Sequence, residues 1–298
     1  MGRILVGTCS WTDPALAESG WYPPDARSAE ERLRHYAARF PLVEVDATYY
    51  ALPSGRNSLL WVERTPPGFV FDVKAFSLLT RHPTRAAALP AAMRPHTGRP
   101  TVYADDLPPG AVDEVWERFL GALRPLHEAG RLGSVLLQFP PWFRPGPQAR
   151  EYLLECRRRC APYRVGVEFR NGAWLEEGAR REGTLDFLRS HGLPLVCADT
   201  VQGQAASVPP VAAASSGRLS VVRFHGRSPA WSGGDRTERF RHRYTEGELA
   251  EWVPRIRSLA GDAAEVHVLF NNCCGDAAPS AAARMSALLG LAARTGSA

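Results

Sequence analysis

The chain has 298 residues, of which 22% are charged, and a formal net charge of +5 at pH 7. This length suits two modest domains or one α/β barrel, and the spread of positive charge is compatible with anionic substrates but is only weak support for nucleic-acid binding. We expect a cytoplasmic protein without a membrane segment, because the chain has no apolar run of about 18 residues, no signal-peptide pattern at Met1 and no disulfide-like cysteine spacing.

Short apolar, β-branched runs alternate with helical patterns along the chain. Strands are predicted over 4–8, 42–46, 69–74, 134–139, 165–169, 194–198, 219–225 and 265–270. Helices are predicted near 28–39, 56–64, 112–129, 147–160, 182–190, 246–260 and 276–293. This alternation predicts a single (β/α)8 TIM barrel of the α/β class over residues 1–298. An open doubly wound sheet is the alternative, but no G-x-G-x-x-G turn follows the first strand.

Two connections depart from the regular repeat. Residues 77–111, after the third predicted strand, are rich in Pro, Arg and Ala in their first part and are predicted to form a loop or lid insert. Residues 201–217, between the sixth and seventh predicted strands, are Ala, Ser, Gly and Pro without an amphipathic period. We therefore expect one barrel helix to be missing or reduced there.

Polar side chains recur on the strand faces that point to the barrel axis, close to the C-terminal ends where TIM-barrel active sites lie. By strand alternation the inward set is Glu44, Asp46, Asp72, Lys74, Gln138, Glu168, Arg170, Asp199, Arg223, His225 and Asn271. Burial of so many charged groups is costly unless they are paired or take part in function. A candidate site at this end of the barrel follows, with an internal salt-bridge network as the alternative.

Lys74 is the only lysine among 36 basic residues. Lysine is a compact charge whose pKa shifts readily and whose amine forms Schiff bases, whereas arginine remains a charged fork. We therefore predict that this position requires an amine. The neighbouring carboxylates Glu44 and Asp72 favour a charged, hydrogen-bonded ammonium, and a surface lysine without function is the alternative.

Several longer segments together carry a family resemblance. They are GTCSWTDP (7–14), FPLVEVDATYYALP (40–53), FVFDVKAF (69–76), LLQFPPWF (136–143), VEFRNGAW (167–174), VRFHGR (222–227) and LFNN (269–272). Over nearly its whole length the chain resembles the YecE-like family of TIM barrels, also called domain of unknown function 72. The resemblance implies this fold and a site at the barrel mouth, but no established reaction. Cys273, Cys274, Ala277 and Ala281 depart from the family's polar, aromatic and amide pattern.

The inward residues predict acid–base catalysis on a small anionic substrate, because neighbouring carboxylates, a lysine and a histidine can shift one another's pKa values. The predicted catalytic residues are Lys74, Glu168, Asp199 and His225, with His225 as proton shuttle. The forked donors of an arginine guanidinium suit a carboxylate or a phosphate. Arg227 and Asn271 follow the last two strands, where barrels commonly bind phosphate. The predicted substrate-binding residues are Glu44, Asp46, Tyr49, Gln138, Arg170, Trp174, Arg223, Arg227, Asn271 and Asn272.

Other functions use the same residues. A Schiff-base enzyme would use Lys74 as the nucleophile. A metal-dependent hydrolase or isomerase would bind a divalent ion through Glu168, Asp199 and His225, but no metal-binding motif is present and we predict no cofactor. A thiolate site at Cys9 with Cys273 and Cys274 lacks an evident fourth ligand. A non-catalytic binding protein or a nucleic-acid-processing protein also fits the aromatic and arginine content, although the absence of a basic run disfavours nucleic acid.

Overall fold

The computed structural model describes residues 1–95, 98–204, 207–233, 236–272 and 274–292. Its strands, in chain order, are β1 Arg3–Cys9, β2 Leu42–Val45, β3 Val70–Lys74, β4 Thr84–Arg85, β5 Thr101–Val102, β6 Leu132–Phe139, β7 Val165–Phe169, β8 Val196–Asp199, β9 Ser220–Phe224 and β10 Glu265–Phe270. Eight of them form one parallel sheet in the order β7-β6-β3-β2-β1-β10-β9-β8. The remaining two, β4 and β5, pair with each other in antiparallel fashion.

The sheet curls into a nearly closed barrel, as the alternating pattern predicted. The first and last barrel strands are hydrogen-bonded neighbours, with Ile4 opposite Val266 and Thr8 opposite Phe270. The seam between β7 and β8 has a parallel bridge of Val167 with Leu195, and the amide of Val167 donates to the carbonyl of Pro194 at 2.8 Å. The fold is therefore a single (β/α)8 TIM-type barrel.

Most helices follow the predicted segments with small changes at their ends, but the predicted 246–260 helix is divided into two, and the short helices Pro14–Glu18 and Arg236–Arg239 were not predicted. They are α1 Pro14–Glu18, α2 Ala29–Ala37, α3 Gly55–Glu63, α4 Ala111–Glu128, α5 Pro147–Cys160, α6 Ala179–Ser190, α7 Arg236–Arg239, α8 Glu246–Ala250, α9 Val253–Asp262 and α10 Ala277–Leu289. Helix α2 begins with a capping box, in which Ser28 and Glu31 satisfy each other's backbone amides. No helix in the described ranges is both long and apolar enough to cross a bilayer.

Both irregular connections are found where they were predicted. The described part of 77–111 contains the short β4–β5 ladder and several 3-10 turns, such as Ser77–Thr80. Between β8 and β9, residues 201–204 and 207–219 contain no helix. Whether the insert moves as a lid stays a prediction.

Strand alternation separates two apolar layers. The axis of the barrel is filled by a small set that includes Leu42, Val70 and Leu269, while their strand neighbours pack against the helices. On β8 the inward residue is Val196, which belongs to the axial set, and Cys197 packs in the outer core. Because alternate residues share a face, Asp199 points outward, and its predicted inward placement is wrong.

Candidate functional site

The centre of the barrel mouth is a buried ion network around Arg223 of β9. Its guanidinium donates to both oxygens of Glu44 on β2, from Nη2 to Oε1 at 2.7 Å and from Nε to Oε2 at 2.9 Å. Its Nη1 donates to Oε2 of Glu168 on β7 at 2.5 Å. All three side chains are buried, at no more than 1% exposure. These two predicted substrate-binding residues, Glu44 and Arg223, thus lie beneath the mouth and support it rather than facing solvent.

Glu168 joins this network to the rim. Its Oε1 accepts from Nε2 of Gln138 at 2.8 Å, from Nη1 of Arg170 at 3.0 Å and from Nε2 of His225 at 2.9 Å. Burial raises the pKa of this carboxyl, but the charge of Arg223 and its hydrogen bonds outweigh burial and hold the pKa well below its ordinary value. Glu168 therefore remains an ionised positioning group, which disfavours its predicted role as an acid or base.

His225 is also buried, and both of its ring nitrogens are engaged. Nε2 contacts Glu168, and Nδ1 lies 3.1 Å from the Nδ2 atom of Asn271. An amide donor at Nδ1 assigns the proton to Nε2, which then donates to Glu168. Burial lowers the pKa of His225 to about 3. The expectation of a proton shuttle near neutral pH does not fit this histidine.

Lys74 ends β3 at the rim, where its side chain is partly exposed. Its Nζ lies 4.3 Å from the ring centroid of Tyr49, a cation–π contact. Within the described ranges no carboxylate oxygen lies within 4.0 Å of this nitrogen. Desolvation and the charge of Arg223 lower the pKa of Lys74 to about 8, against opposing effects of Glu44 and Glu168. The expected hydrogen bonds from this ammonium to neighbouring carboxylates are absent, and its lowered pKa lets it lose a proton more readily than an ordinary lysine.

Aromatic side chains and one arginine line the mouth around Lys74. The ring of Tyr49 contacts that of His82 at 5.2 Å, and His82 contacts Trp142 at 6.0 Å. On the opposite side the Arg170 guanidinium lies 4.9 Å from the ring centroid of Trp231. His82 comes from the insert after β3 and was not predicted, because the sequence there has no period that places a side chain. Burial and the charge of Lys74 lower its pKa to about 3.

Asp199 and Arg227 form a separate cluster outside the barrel wall. The carboxylate of Asp199 accepts from Nη2 of Arg227 at 2.9 Å, from the hydroxyl of Tyr244 at 2.7 Å and from Nε1 of Trp252 at 2.9 Å. Arg227 also donates to Glu251 at 2.9 Å. Asp199 is thus not paired with Glu168, and the predicted phosphate-binding arginine is already neutralised by carboxylates.

Two further predicted binding residues are buried in the core. Trp174 has no exposed surface, stacks on Phe169 at 4.3 Å and donates from Nε1 to the carbonyl of Phe143 at 2.8 Å. Asn272 is fully buried and donates to the carbonyl of His242 at 2.9 Å. Neither side chain faces the open mouth, because Trp174 follows its strand by several positions and Asn272 alternates outward from Asn271.

The other predicted mouth residues lie at different depths. Asp46 and Asn271 are at the rim with partial exposure. Asp72 faces the axis as predicted but lies deeper, where it accepts from Ser134 at 2.8 Å and contacts Nδ1 of His267 at 2.8 Å. His267 was missed by the sequence reasoning, although its inward parity on the last strand could have identified it.

The predicted metal alternatives are not supported by the geometry. Across the described ranges, no three His, Cys, Asp or Glu side chains are grouped closely enough to bind a metal ion. Cys9 is buried, receives a 3.6 Å contact from Arg223, and has a pKa raised well above normal by burial and Glu44. Cys273 lies outside the described residues.

Comparison with known proteins gives a consistent assignment. The family model for a protein of unknown function, DUF72, matches residues 5–297. UPF0759 protein YunF of Bacillus subtilis is 32% identical over 293 residues, covering 96% of this chain and 94% of that protein. Among solved structures, a DUF72 protein of Enterococcus faecalis matches with a TM-score of 0.79 at 27% identity, covering 97% and 96% of the two chains.

A second solved structure, a DUF72 protein of Thermotoga maritima, is 29% identical with a TM-score of 0.75, covering 97% of this chain and 99% of that one. Each of these relatives is matched over 96% or more of this chain. A family match of this length, joined to a relative above 30% identity, identifies more than a shared fold. The chain belongs to the DUF72 family.

Proposed function

We propose that the protein is an enzyme that performs acid–base chemistry on a small anionic substrate at the barrel mouth. The observation that carries this proposal is the Lys74 amine, which lies at the rim against Tyr49 with no carboxylate within 4.0 Å in the described ranges. Its lowered pKa, about 8, lets it accept and donate a proton close to neutral pH. In this proposal Lys74 takes the proton-transfer role expected of Glu168, Asp199 and His225.

The pairing of the charges around the mouth supports an anionic substrate. Three cationic side chains, Arg223, Arg170 and Lys74, are matched by three carboxylates, those of Glu44, Glu168 and Asp46, so the number of charges favours neither sign. Arg223 is buried and paired with both Glu44 and Glu168. The side chain of Arg170, in contrast, is 17% exposed and donates to Glu168 through Nη1. Arg170 is therefore the guanidinium that we assign to the substrate's carboxylate or phosphate, beside the Gln138 amide that donates to the same Glu168 oxygen.

This proposal is tested by NMR on protein labelled with ¹³C-lysine, since the one lysine of the chain gives one side-chain Cε signal. Inorganic phosphate and pyruvate are titrated separately, and each should shift the Lys74 signal and raise the Lys74 pKa. Arg170→Gln should weaken this binding about tenfold, the loss expected for a charged hydrogen bond. Arg118→Gln, on the exposed face of α4, is the matched control and should leave binding unchanged. A signal that responds to neither anion would refute an anion site at the mouth.

A further inference from the structure

Lys74 differs from all other basic side chains of the protein in being a primary amine. The other basic residues are arginines, and Arg170 and Arg223 already bring positive charge to the mouth. A guanidinium suffices to bind a carboxylate or phosphate, whereas a deprotonated amine has a lone pair that attacks carbon. This position therefore points to amine chemistry rather than to one more positive charge.

Three carboxylates near Lys74, those of Glu44, Glu168 and Asp72, are bound by other side chains. Glu44 accepts two hydrogen bonds from Arg223, at 2.7 and 2.9 Å. Glu168 accepts hydrogen bonds from four side chains. Asp72 lies deeper in the barrel, where it contacts Ser134 and His267. With its pKa at about 8, a substantial fraction of the amine is neutral just above neutral pH.

We propose that Lys74 forms an imine with the carbonyl carbon of its substrate, a small aldehyde or ketone that also carries a carboxylate or phosphate. The inference rests on the proposed function for the anionic group, which Arg170 binds. The amine nitrogen bonds to the carbonyl carbon, one amine proton moves to the oxygen, and the second amine proton leaves with that oxygen as water. Protonation of the imine nitrogen then creates an electron sink for bond cleavage at the adjacent carbon. No oxidant or reductant is needed.

Asp46 is the carboxylate that we assign to proton transfer in these steps. It follows β2 directly, is partly exposed, and its charge acts on Lys74. Within the described ranges no basic nitrogen lies within 4.0 Å of it, in contrast to Glu44 and Glu168. A carboxylate that is neither buried nor paired can exchange protons with water during catalysis.

The test is reductive trapping with glyoxylate and cyanoborohydride, with adducts located by mass spectrometry after digestion. Lys74 is the one lysine of this sequence, and the α-amino group at the N-terminus of the protein used serves as an internal reference. Met1 is 90% exposed, so the N-terminal amine gives the trapping rate of an amine that is open to solvent. We expect Lys74 to be trapped at least tenfold faster than the N-terminal amine at pH 8. Lys74→Arg should leave only the N-terminal adduct.

The anionic group of the probe is tested separately. Acetaldehyde, which lacks the carboxylate, should label the two amines with a much smaller difference in rate, and Arg170→Gln should reduce glyoxylate trapping at Lys74 without affecting the N-terminus. Equal trapping of the two amines in the unmodified protein would overturn the imine proposal, whatever the variants do. If trapping is equal but phosphate still shifts the Lys74 signal, the anion site and the proposed function stand. Loss of both responses would overturn both.

Discussion

Lys74 and Arg223 lie in the same barrel mouth but are held by opposite electrostatics. Arg223 has two buried carboxylate partners, which raise its pKa further despite the desolvation that opposes them. Lys74 has none within 4.0 Å in the described part of the chain, and burial lowers its pKa. A positive charge is therefore stabilising at Arg223 and destabilising at Lys74. Only Lys74 is suited to proton transfer or nucleophilic attack.

This difference predicts that Lys74→Met stabilises the protein while abolishing its function. A lysine pKa lowered from 10.5 to about 8 means that the folded state binds fewer protons than the unfolded state between these values. Protonation therefore opposes folding at pH 7, and stability should rise with pH through this window. Partial exposure reduces the effect, so we expect Lys74→Met to raise the free energy of unfolding by roughly 1 kcal/mol at pH 7 and by little above pH 10.5.

Urea denaturation at pH 7 and at high pH measures this gain. Arg223→Met is the opposite control, because it leaves Glu44 buried without its paired cation and Glu168 with Arg170 alone, and it should cost about 3–5 kcal/mol. If Lys74 were the hydrogen-bonded ammonium expected from the sequence, its removal would instead be destabilising. A large loss of stability in Lys74→Met would show that Lys74, rather than Arg223, neutralises them.

At the scale of elements, the mouth depends on how closely β1 approaches β2. Gly7 of β1 lies opposite Leu42 of β2, and a Cβ atom on Gly7 would lie 1.9 Å from the Leu42 carbonyl oxygen. The hydroxyl of Tyr36 fills the remaining space, since it donates to the same carbonyl at 2.9 Å and accepts from the Thr8 amide at 2.7 Å. This close contact sets the position of Glu44, two residues further along β2.

Gly7→Ala should therefore push β1 away from β2 and lower the free energy of unfolding by about 1–3 kcal/mol, the cost of overpacking. Thermal unfolding followed by circular dichroism measures the loss. Gly121→Ala in the exposed middle of α4 is the matched control, because no atom lies within 4 Å of its new Cβ. That control should gain about 0.5–1 kcal/mol from helix propensity. Equal stability of the two variants would contradict a tight β1–β2 contact.

At the scale of the whole molecule, a second buried ion network lies toward the N-terminal ends of the barrel strands. His267 of β10 contacts Asp72 of β3 through Nδ1 at 2.8 Å and Glu265 through Nε2 at 2.8 Å. Arg164, just before β7, donates to Glu265 at 3.0 Å. These contacts tie together strands from separate parts of the chain, so their protonation states affect the stability of the entire barrel.

The stability of the barrel should therefore depend on the charge of His267. Burial alone would lower its pKa, but Asp72 and Glu265 outweigh burial and raise it from 6.5 to about 9. A raised histidine pKa stabilises the fold fully below about pH 6.5, and this contribution is lost as the pH rises through 9. We expect His267→Gln to cost on the order of 3 kcal/mol at pH 6 and much less at pH 10.

The measurement is the urea midpoint of both proteins across this pH range. The control is His127→Gln, an exposed position on α4 outside this network, which should change the midpoint much less than His267→Gln does at pH 6. A loss in His267→Gln that is independent of pH would mean that the ring contributes packing rather than charge. Glu265, whose pKa is lowered to about 2, keeps its own contribution until the solution is strongly acidic.

The barrel itself was predictable from the sequence, because eight apolar runs alternating with helices leave few ways to bury both faces of a parallel sheet. Strand parity also placed Glu44, Lys74, Glu168 and Arg223 on the inward face, and the structure confirms that placement. Parity is reliable inside a strand, where the backbone repeats every two residues. It was wrong for Asp199, at the end of β8, because the inward position on that strand is Val196.

What the sequence by itself determined was the fold, the end of the barrel that carries the site, and the singular status of Lys74. Only the tertiary structure decided which charges pair. Arg223 reaches carboxylates on β2 and β7, at sequence separations of 179 and 55 residues, and Arg227 is bound by Asp199 outside the barrel. Pairing across such distances depends on side-chain reach and on competition among several acceptors in three dimensions. A local sequence pattern does not encode that competition. The Lys74 amine without a carboxylate partner could therefore be identified only in the folded chain.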